Sequence, residues 1–526
     1  MAEEHISPGP WGSVEEENAR LKLLIEKSPP DEILVVSDLH LGRGREPYTT
    51  RFVRTENFVS DQAFKRFIQA HQPAPNKLLV LNGDTFDFIR ICNFPSSHDE
   101  FDQWKTLLVA LGVVKSREQL RAAISRKEKR YGLQTDDYKS AWKLSQIADG
   151  HREFFQALAY WVEHGGSLLM VKGNHDLDLY WPLVRKALCF FLAREIANEK
   201  IRQEAIERVF YCDNSICIHN VYLEHGHLYD PQQQVKDKCP TMAEDPSQLN
   251  LPLATFVARY LINQLEKLEP FLGSVRPIER VPWLMLGKHP LASIAILGRS
   301  LRFLRRAAKI SKLHNTFWFM VYFLSVALPL VTGLLIALVV VCPSCYQSAV
   351  NFLRKLPVIS WIVNVIVTHP LTSTILGFVA PFIAAALREF FRWLNITANI
   401  RKFMRRLRKQ PDPLGEDELA QGVYETLQTL RFPGATTIYA VMGHTHEQDI
   451  QNLSKADGPE VLYLNTGSWI PIWPQDRPDL AGKTLYPFVR LKKHSQQGEY
   501  AHGYFEWRDE RNQPAEAYIF APSSMK

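Results

Sequence analysis

Two short motifs near opposite ends of the chain, Asp38-Leu39-His40 and Gly443-His444-Thr445-His446, carry side chains that bind metals. Between them stand Gly83-Asp84, Gly173-Asn174-His175-Asp176 and His225-Gly226. Asp38 and His40 are one residue apart, just after an apolar run, so alternation puts both on one side of the chain where they can reach one ion. A carboxylate oxygen beside an imidazole nitrogen suits Mn, Fe or Zn. Asp84 follows a glycine, which permits close backbone approach, and its carboxylate can bridge two ions. Asn174 offers a neutral amide oxygen where more negative charge would over-neutralise the site. His225, His444 and His446 complete two coordination shells. Two divalent ions side by side point to hydrolysis of phosphate esters.

The elements that must position these groups repeat one arrangement. Ile33-Leu34-Val35-Val36 runs into Ser37-Asp38, and Leu78-Leu79-Val80-Leu81 runs into Asn82-Gly83-Asp84. Leu168-Leu169-Met170-Val171 precedes Gly173-Asn174, and Ile438-Tyr439-Ala440-Val441 precedes Gly443-His444. Short apolar runs that end in glycine and polar residues read as buried strands of an α/β sheet with the site at their C-terminal ends. Helices are expected over 15–26, 61–70, 138–164 as one long helix, and 416–431. The charged stretch 92–135 exceeds a simple crossover and reads as a helical insert over the site. Segments 486–491 and 500–507 read as closing strands.

At 526 residues the chain needs two or three structural units. Its 46% hydrophobic and 22% charged composition is that of a folded protein, and a net charge of +6 is too small to imply a nucleic-acid partner. Seven scattered cysteines make no disulfide framework, and Cys342-Pro-Ser-Cys345 is the one close pair, read as a loop feature. The start, Met-Ala-Glu-Glu-His, is acidic and has no apolar run, so no secretory leader is expected.

Phe317 to Val341 holds no charged residue and is long enough to span a bilayer; Leu356 to Leu387 is a second uncharged stretch, interrupted by His369-Pro370 and read as one further span. Arg302, Arg305, Arg306, Lys309 and Lys312 precede the pair, and eight basic residues from Arg388 to Lys409 follow it. The connecting loop has only Arg354 and Lys355, so both flanks are expected in the cytoplasm. The expected order is an N-terminal extension (1–30), the first part of the catalytic domain (31–230), a helical membrane-proximal connector (231–312), a transmembrane hairpin (313–390), a basic juxtamembrane segment (391–414) and the second catalytic part (415–526). Within the connector, 253–268 reads as an amphipathic helix, and 283–286 and 294–304 suit a surface that lies on the bilayer or packs on the catalytic domain.

The ordered set Asp38-Leu-His40, Gly83-Asp84, Gly173-Asn-His-Asp176, His225 and Gly443-His-Thr-His446 resembles the calcineurin-like metallophosphoesterase family, over 31–230 and 415–475. The resemblance implies a four-layered α/β/β/α sandwich. It implies that Asp38, His40 and His446 bind one metal, that Asn174, His225 and His444 bind the other, and that Asp84 bridges. Asn465-Thr-Gly-Ser-Trp469 resembles the family's closing motif, with a structural role. Asp38-Leu-His-Leu41, Gly83-Asp84-Thr-Phe-Asp87 and His225-Gly226 are similar to the bacterial UDP-2,3-diacylglucosamine pyrophosphohydrolase branch. That enzyme is shorter, lacks the hairpin and has Asn-Arg-Asp where this chain has Asn174-His175-Asp176, so its substrate carries over only weakly.

The implied reaction is hydrolysis by a hydroxide that bridges two divalent ions, with Mn expected and Fe, Zn or Mg as alternatives. His175 is the candidate to protonate the leaving oxygen, oriented by Asp176 or Asp87, although Asp176 also suits a helix cap. Arg43, Arg45 and Arg51 follow the first motif and are candidates for phosphate contact; His227 is expected behind the metal ligands. The expected protein is a metal-dependent phosphoesterase facing the cytoplasm from a membrane, acting on a phosphorylated substrate that is lipid-linked or soluble. A catalytically inactive scaffold of the same fold would have to retain all seven ligands without use. A channel or transporter is a third reading, and two spans without Asp, Glu, Lys or Arg make a poor transport path unless the protein oligomerises.

Overall fold

The computed structural model describes residues 14–275 and 418–516 apart from short breaks (47–48, 231–232, 234–239, 243, 455–457, 474–477 and 495–498), with 280–289, 292–293 and 296 also described. The chain divides into one unit of Met1–Met285 with Pro413–Lys526, and a second of Leu286–Asp412. Both expected membrane spans, Cys342, Cys345 and the basic juxtamembrane segment lie outside the described residues. Among the described residues no helix is long and apolar enough to cross a membrane.

The first unit is a mixed α/β structure with two sheets. Strands β1 (Glu32–Val36), β2 (Lys77–Asn82), β3 (Ser167–Val171) and β4 (Val209–Cys212) run parallel in that order. On the other side of β1, β10 (Pro487–Lys493), β11 (Tyr500–Arg508) and β12 (Gln513–Glu516) add antiparallel strands. The second sheet has the order β5-β6-β7-β9-β8, from β5 (Ser215–Ile218), β6 (Val221–Glu224), β7 (Thr437–Met442), β9 (Glu460–Thr466) and β8 (Gln448–Asn452). Its inner strands β6, β7 and β9 are parallel, and both edges are antiparallel.

Alternation along each strand builds the layers. Ile33 and Val35 of β1 join Leu78, Val80, Leu169 and Val171 in one core, where they meet Val221, Leu223, Val441 and Leu464 of the second sheet. Their neighbours Leu34, Val36, Leu79, Leu81, Leu168 and Met170 face the opposite way, into a core shared with the helices Asp61–Ala70, Asp137–Gly150, Arg152–Glu163 and Pro182–Glu195. The outer face of the second sheet, through Tyr222, Ile438, Ala440 and Tyr463, packs on Leu419, Val423 and Leu427 of the helix Glu418–Thr429. Strands buried on both faces explain why the sequence shows continuous apolar runs rather than alternation.

One expectation changes and two gain detail. The single helix over 138–164 is two, Asp137–Gly150 and Arg152–Glu163. A Cβ on Gly150 would lie 1.9 Å from the carbonyl oxygen of Arg43, and His151 leaves the helical conformation (φ −120°) with its ring between Asp61 and Glu56. The insert 92–135 forms helices His98–Ala110, Arg117–Ala122 and Glu128–Tyr131, and its Trp104 joins the outer helical core, donating from Nε1 to the carbonyl of Tyr138. The connector over 253–268 is helical across Leu253–Glu266 with a π-helical turn at Ala258–Ile262, and it packs within the first unit. There Arg259 donates to the carbonyl of Gly132 and Asn263 donates to that of Ile89.

Candidate metal centre

Every candidate ligand stands just past the C-terminal end of a parallel strand or in the loop that follows it. Asp38 and His40 follow β1, Asp84 follows β2, Asn174 follows β3, His225 follows β6, and His444 and His446 follow β7. Backbone bonds knit these ends together: Asp38 N–H donates to Gly83 O at 3.2 Å, His40 N–H to Asp84 O at 2.8 Å, and Gly443 N–H to His225 O at 3.0 Å. The Asn82 amide spans the two sheets, donating to Glu224 O and Val441 O. The segment 465–469 closes the rim. Asn465 donates to Gly443 O, Thr466 to Met442 O, and Trp469 is fully buried with its indole N–H on Pro487 O.

Five of the seven candidate ligands hold left-handed backbone: Asp38 (φ 52°), His40 (51°), Asp84 (50°), His444 (75°) and His446 (63°). They make up half of the ten non-glycine residues with positive φ among those described. Such conformations cost roughly 1–3 kcal/mol each and persist where the surroundings over-determine them, so the strain gathers at this one place. Two glycines make room. A Cβ on Gly173 would fall 2.2 Å from Asp84 Oδ1, and one on Gly443 would fall 2.4 Å from Asp38 Oδ2.

The side chains converge. His40 Nε2 and His446 Nε2, from residues 406 apart in the chain, approach to 3.0 Å. His446 Nε2 is 3.3 Å from Asp38 Oδ1, and His40 Nε2 is 3.8 Å from the same oxygen and 3.7 Å from Asp84 Oδ2. Asp38, His40, Asp84 and His446 thus form a group able to hold a metal ion. On the other side of Asp84, His225 Nε2 lies 3.3 Å from the same Oδ2 and 3.3 Å from Asn174 Oδ1. His225 Nδ1 is 2.9 Å from the Asn82 carbonyl, which fixes Nδ1–H as the donor and leaves the Nε2 lone pair directed at a carboxylate and an amide oxygen. His444 joins this side, its ring 5.4 Å from that of His225 and its backbone N–H donating to Asp38.

Lone pairs that converge in a dry site need a cation or protons. Burial alone would lower the basicity of both imidazoles, yet the carboxylates prevail. Asp38, Asp87 and Asp84 raise His40 to about 10, and Asp84 and Asp38 raise His225 to about 9. Burial pushes the carboxyls of Asp38 and Asp84 up, but His225 above all, with the other nearby imidazoles, holds both below the usual carboxylate range. The donor set of imidazole nitrogens, carboxylate oxygens and one amide oxygen fits a metal ion.

A second group, His40, Asp87 and His175, also has metal-like spacing. Arg90 occupies it instead. One carboxylate oxygen, Asp87 Oδ2, faces Arg90 Nε at 2.9 Å, His175 Nδ1 at 3.0 Å and His40 Nδ1 at 3.4 Å. A guanidinium at that distance excludes a cation, so this group is a bracket for two imidazole rings. Burial raises the Asp87 carboxyl, but the charge of His175, the closeness of the His40 ring and the charge of Arg90 hold it well below its usual range.

Asp87, then, is the carboxylate beside His175. Asp176 instead latches two ligand loops together, its oxygens accepting from Gly173 N–H at 2.6 Å and Thr85 N–H at 2.9 Å. It makes no side-chain cap to the short helix Leu177–Tyr180. Burial and then the charge of Asp84 push its carboxyl up to about 7. His227 is buried, its ring 5.5 Å from that of His225, and burial with the neighbouring His225 charge keeps it well below the ordinary imidazole range. Arg45 lies over the Phe52 ring and 3.8 Å from Glu153, a surface arrangement rather than a ligand contact; Arg43 is half-buried and Arg51 exposed. Two residues without a sequence signal also border the centre. Asp230 Oδ2 is 3.2 Å from His444 Nε2, and Gln233 accepts from the Asn174 amide at 3.2 Å.

Fold and site together define an α/β protein whose strand ends surround a buried group of Asp and His side chains able to hold a metal ion. No family model, curated protein or solved structure matches the chain.

Proposed function

We propose that this protein is a metal-dependent phosphoesterase of the calcineurin-like kind, with an α/β/β/α sandwich that holds two divalent ions, Mn foremost. The observation that carries the reading is the placement of Asp84 Oδ2 between two imidazole nitrogens, His40 Nε2 at 3.7 Å and His225 Nε2 at 3.3 Å, each backed by further oxygen or nitrogen donors. Asp38, His40 and His446 would hold one ion, and Asn174, His225 and His444 the other. When bound, the ions would lower the pKa of water and draw charge from phosphate oxygens.

The chain's own residues supply the rest. Asn82 O keeps the proton of His225 on Nδ1, and Asp87 faces Nδ1 of His40, so both rings present Nε2 inward. His175 is the least buried member of the bracket, with 19% side-chain exposure, and Asp87 at its Nδ1 leaves Nε2 as the atom to hold and deliver a proton to a leaving oxygen. Asp176 keeps the Asp84 and Asn174 loops in register.

Location at the cytoplasmic face of a membrane completes the proposal. It rests on the uncharged stretches 317–341 and 356–387 with their basic flanks. The 3.0 Å approach of His446 to His40 supports an even number of crossings between 225 and 444, because both must lie on one side. A substrate at or in the bilayer, such as a lipid-linked phosphate or pyrophosphate, suits that placement.

Purified full-length protein with Mn or Mg is expected to contain bound metal and to hydrolyse a generic aryl phosphate. A screen of phosphomonoesters, phosphodiesters, nucleotide-sugar pyrophosphates and phospholipids then locates the substrate class. Absence of both bound metal and any hydrolysis sinks the proposal. Release of the protein from membranes by alkaline carbonate would overturn the membrane part alone.

A further inference from the structure

The carboxylate that brackets His40 and His175 is itself held from a part of the chain that contributes no ligand. Arg90 offers Nε to Asp87 at 2.9 Å and turns Nη1 the other way, into an ion pair with Glu266. Glu266 is fully buried, 176 residues further along, in the connector helix Asn263–Glu266. Its second oxygen accepts from Gly273 N–H at 2.9 Å, so the carboxylate is fixed at both ends. Three residues earlier, Asn263 donates to Ile89 O at 2.7 Å and clamps the same short turn, Phe88–Arg90. Arg54 donates to Leu268 O at 2.8 Å, tying the connector to the loop after the first motif as well.

We propose that Glu266 is a positioning residue for the centre, acting through Arg90 and Asp87 on the rings of His175 and His40; this rests on the phosphoesterase reading. The physical basis is the shape of the guanidinium. Its donors form a rigid planar fork, so carboxylates at Nε and Nη1 together define the plane in which Arg90 lies. Asp87 Oδ2 already serves two imidazoles as well as Arg90. Without Glu266, the buried Nη1 of Arg90 loses its charged acceptor, and a buried donor left unmet is costly. The fork then satisfies itself by turning both nitrogens onto Asp87, which draws that carboxylate away from the two rings. An ion pair serving stability alone would have no such path to the centre; this one ends on an oxygen shared with a metal ligand and with the proposed proton donor.

Full-length E266Q, E266D, H175A and the E266Q/H175A double variant test it. E266Q keeps the volume and removes the charge. It is expected to lower kcat on an aryl phosphate about 10-fold with KM unchanged, and to weaken Zn binding to the metal-free protein about 10-fold, because the Asp87 carboxylate behind His40 shifts. E266D, which keeps the charge, is expected to retain more of both. In the H175A background E266Q is expected to cause little further loss in kcat, since the two act along one path. Wild-type kcat and Zn affinity in E266Q, or losses fully additive with H175A, overturn the proposal. Should E266Q fail to fold, E266D and its double variant with H175A carry the same comparison. A wild-type protein that hydrolyses no phosphoester defeats the phosphoesterase reading, and the Zn measurement still decides whether Glu266 acts on the centre.

Discussion

Two buried histidines sit among carboxylates, His40 facing three and His151 two, and both are raised to about 10 against the effect of burial. Their surroundings differ in what is left over. His151 puts Nδ1 2.9 Å from Asp61 and Nε2 3.3 Å from Glu56. Glu56 in turn accepts backbone N–H groups of Gly42, Gly44, Asn57 and Phe58. Glu56 and one oxygen of Asp61 meet donors there, so a protonated imidazole between the two carboxylates acts as an internal strut for the loop after the first motif. At His40 the donors are too few. Nε2 meets another Nε2, from His446, with two carboxylates close by. Titratable residues in a cluster do not by themselves suit a metal ion; an excess of inward-facing acceptors over protein donors makes the His40 group able to hold one.

Substitutions can break this comparison. The largest effect is expected from D84N, which removes the one carboxylate oxygen between both halves of the centre: activity on an aryl phosphate should fall on the order of 10³-fold, in the range of lost electrostatic stabilisation, with bound metal lost in parallel. Elemental analysis of the purified variant checks the second part, and full metal content would contradict the bridging role. H151A should leave metal content unchanged and destabilise folding by about 3–5 kcal/mol, because Glu56 and Asp61 remain buried without their cation. Chemical denaturation measures this, and a loss of metal without a loss of stability would erase the distinction between the clusters.

H175A should retain its metals and lose about 10²-fold in kcat on a substrate with a poor leaving group, less on an aryl phosphate whose leaving oxygen needs little protonation. Equal losses on both substrates would count against a proton-donating role. The smallest effect is a pH dependence. His151 has a folded-state pKa raised from 6.5 to about 10, so its contribution to stability is fully present below pH 6.5 and is lost as pH rises towards 10. Glu56 is lowered from 4.5, so its contribution is present above that value and is lost as pH falls below it. Unfolding midpoints of metal-free protein should therefore decline on the alkaline side, and H151Q should flatten that limb.

The parts of the fold legible in the sequence are those with a strong local cause. Strands β1, β2, β3 and β7 are buried on both faces and appear as unbroken apolar runs. The helix Asp61–Ala70 follows from Phe64, Phe67 and Ile68 at helical spacing, all buried. Strand β8, Gln448–Asn452, is short, polar and at a sheet edge, and β5 is half exposed, so neither leaves a run to read. The break at Gly150-His151 has no local signal, since its causes are Arg43, Glu56 and Asp61. The carboxylate beside His175 has the same character. Asp176 is its neighbour in sequence, but the strand-end loops turn Asp176 towards Thr85 and Gly173 and bring Asp87 to the imidazole.

By itself the sequence determined the inventory: which strand ends carry carboxylate, amide and imidazole, and where glycines leave room beside them. Composition and local periodicity are enough for that, because burial of a strand is written in its own residues. Only the tertiary structure decided the partners. It set Asp84 between His40 and His225, filled the Asp87 group with Arg90 rather than a cation, and brought Glu266 from the connector to the far side of that arginine. These choices depend on distances of a few ångströms between residues far apart in the chain, and no local pattern encodes them.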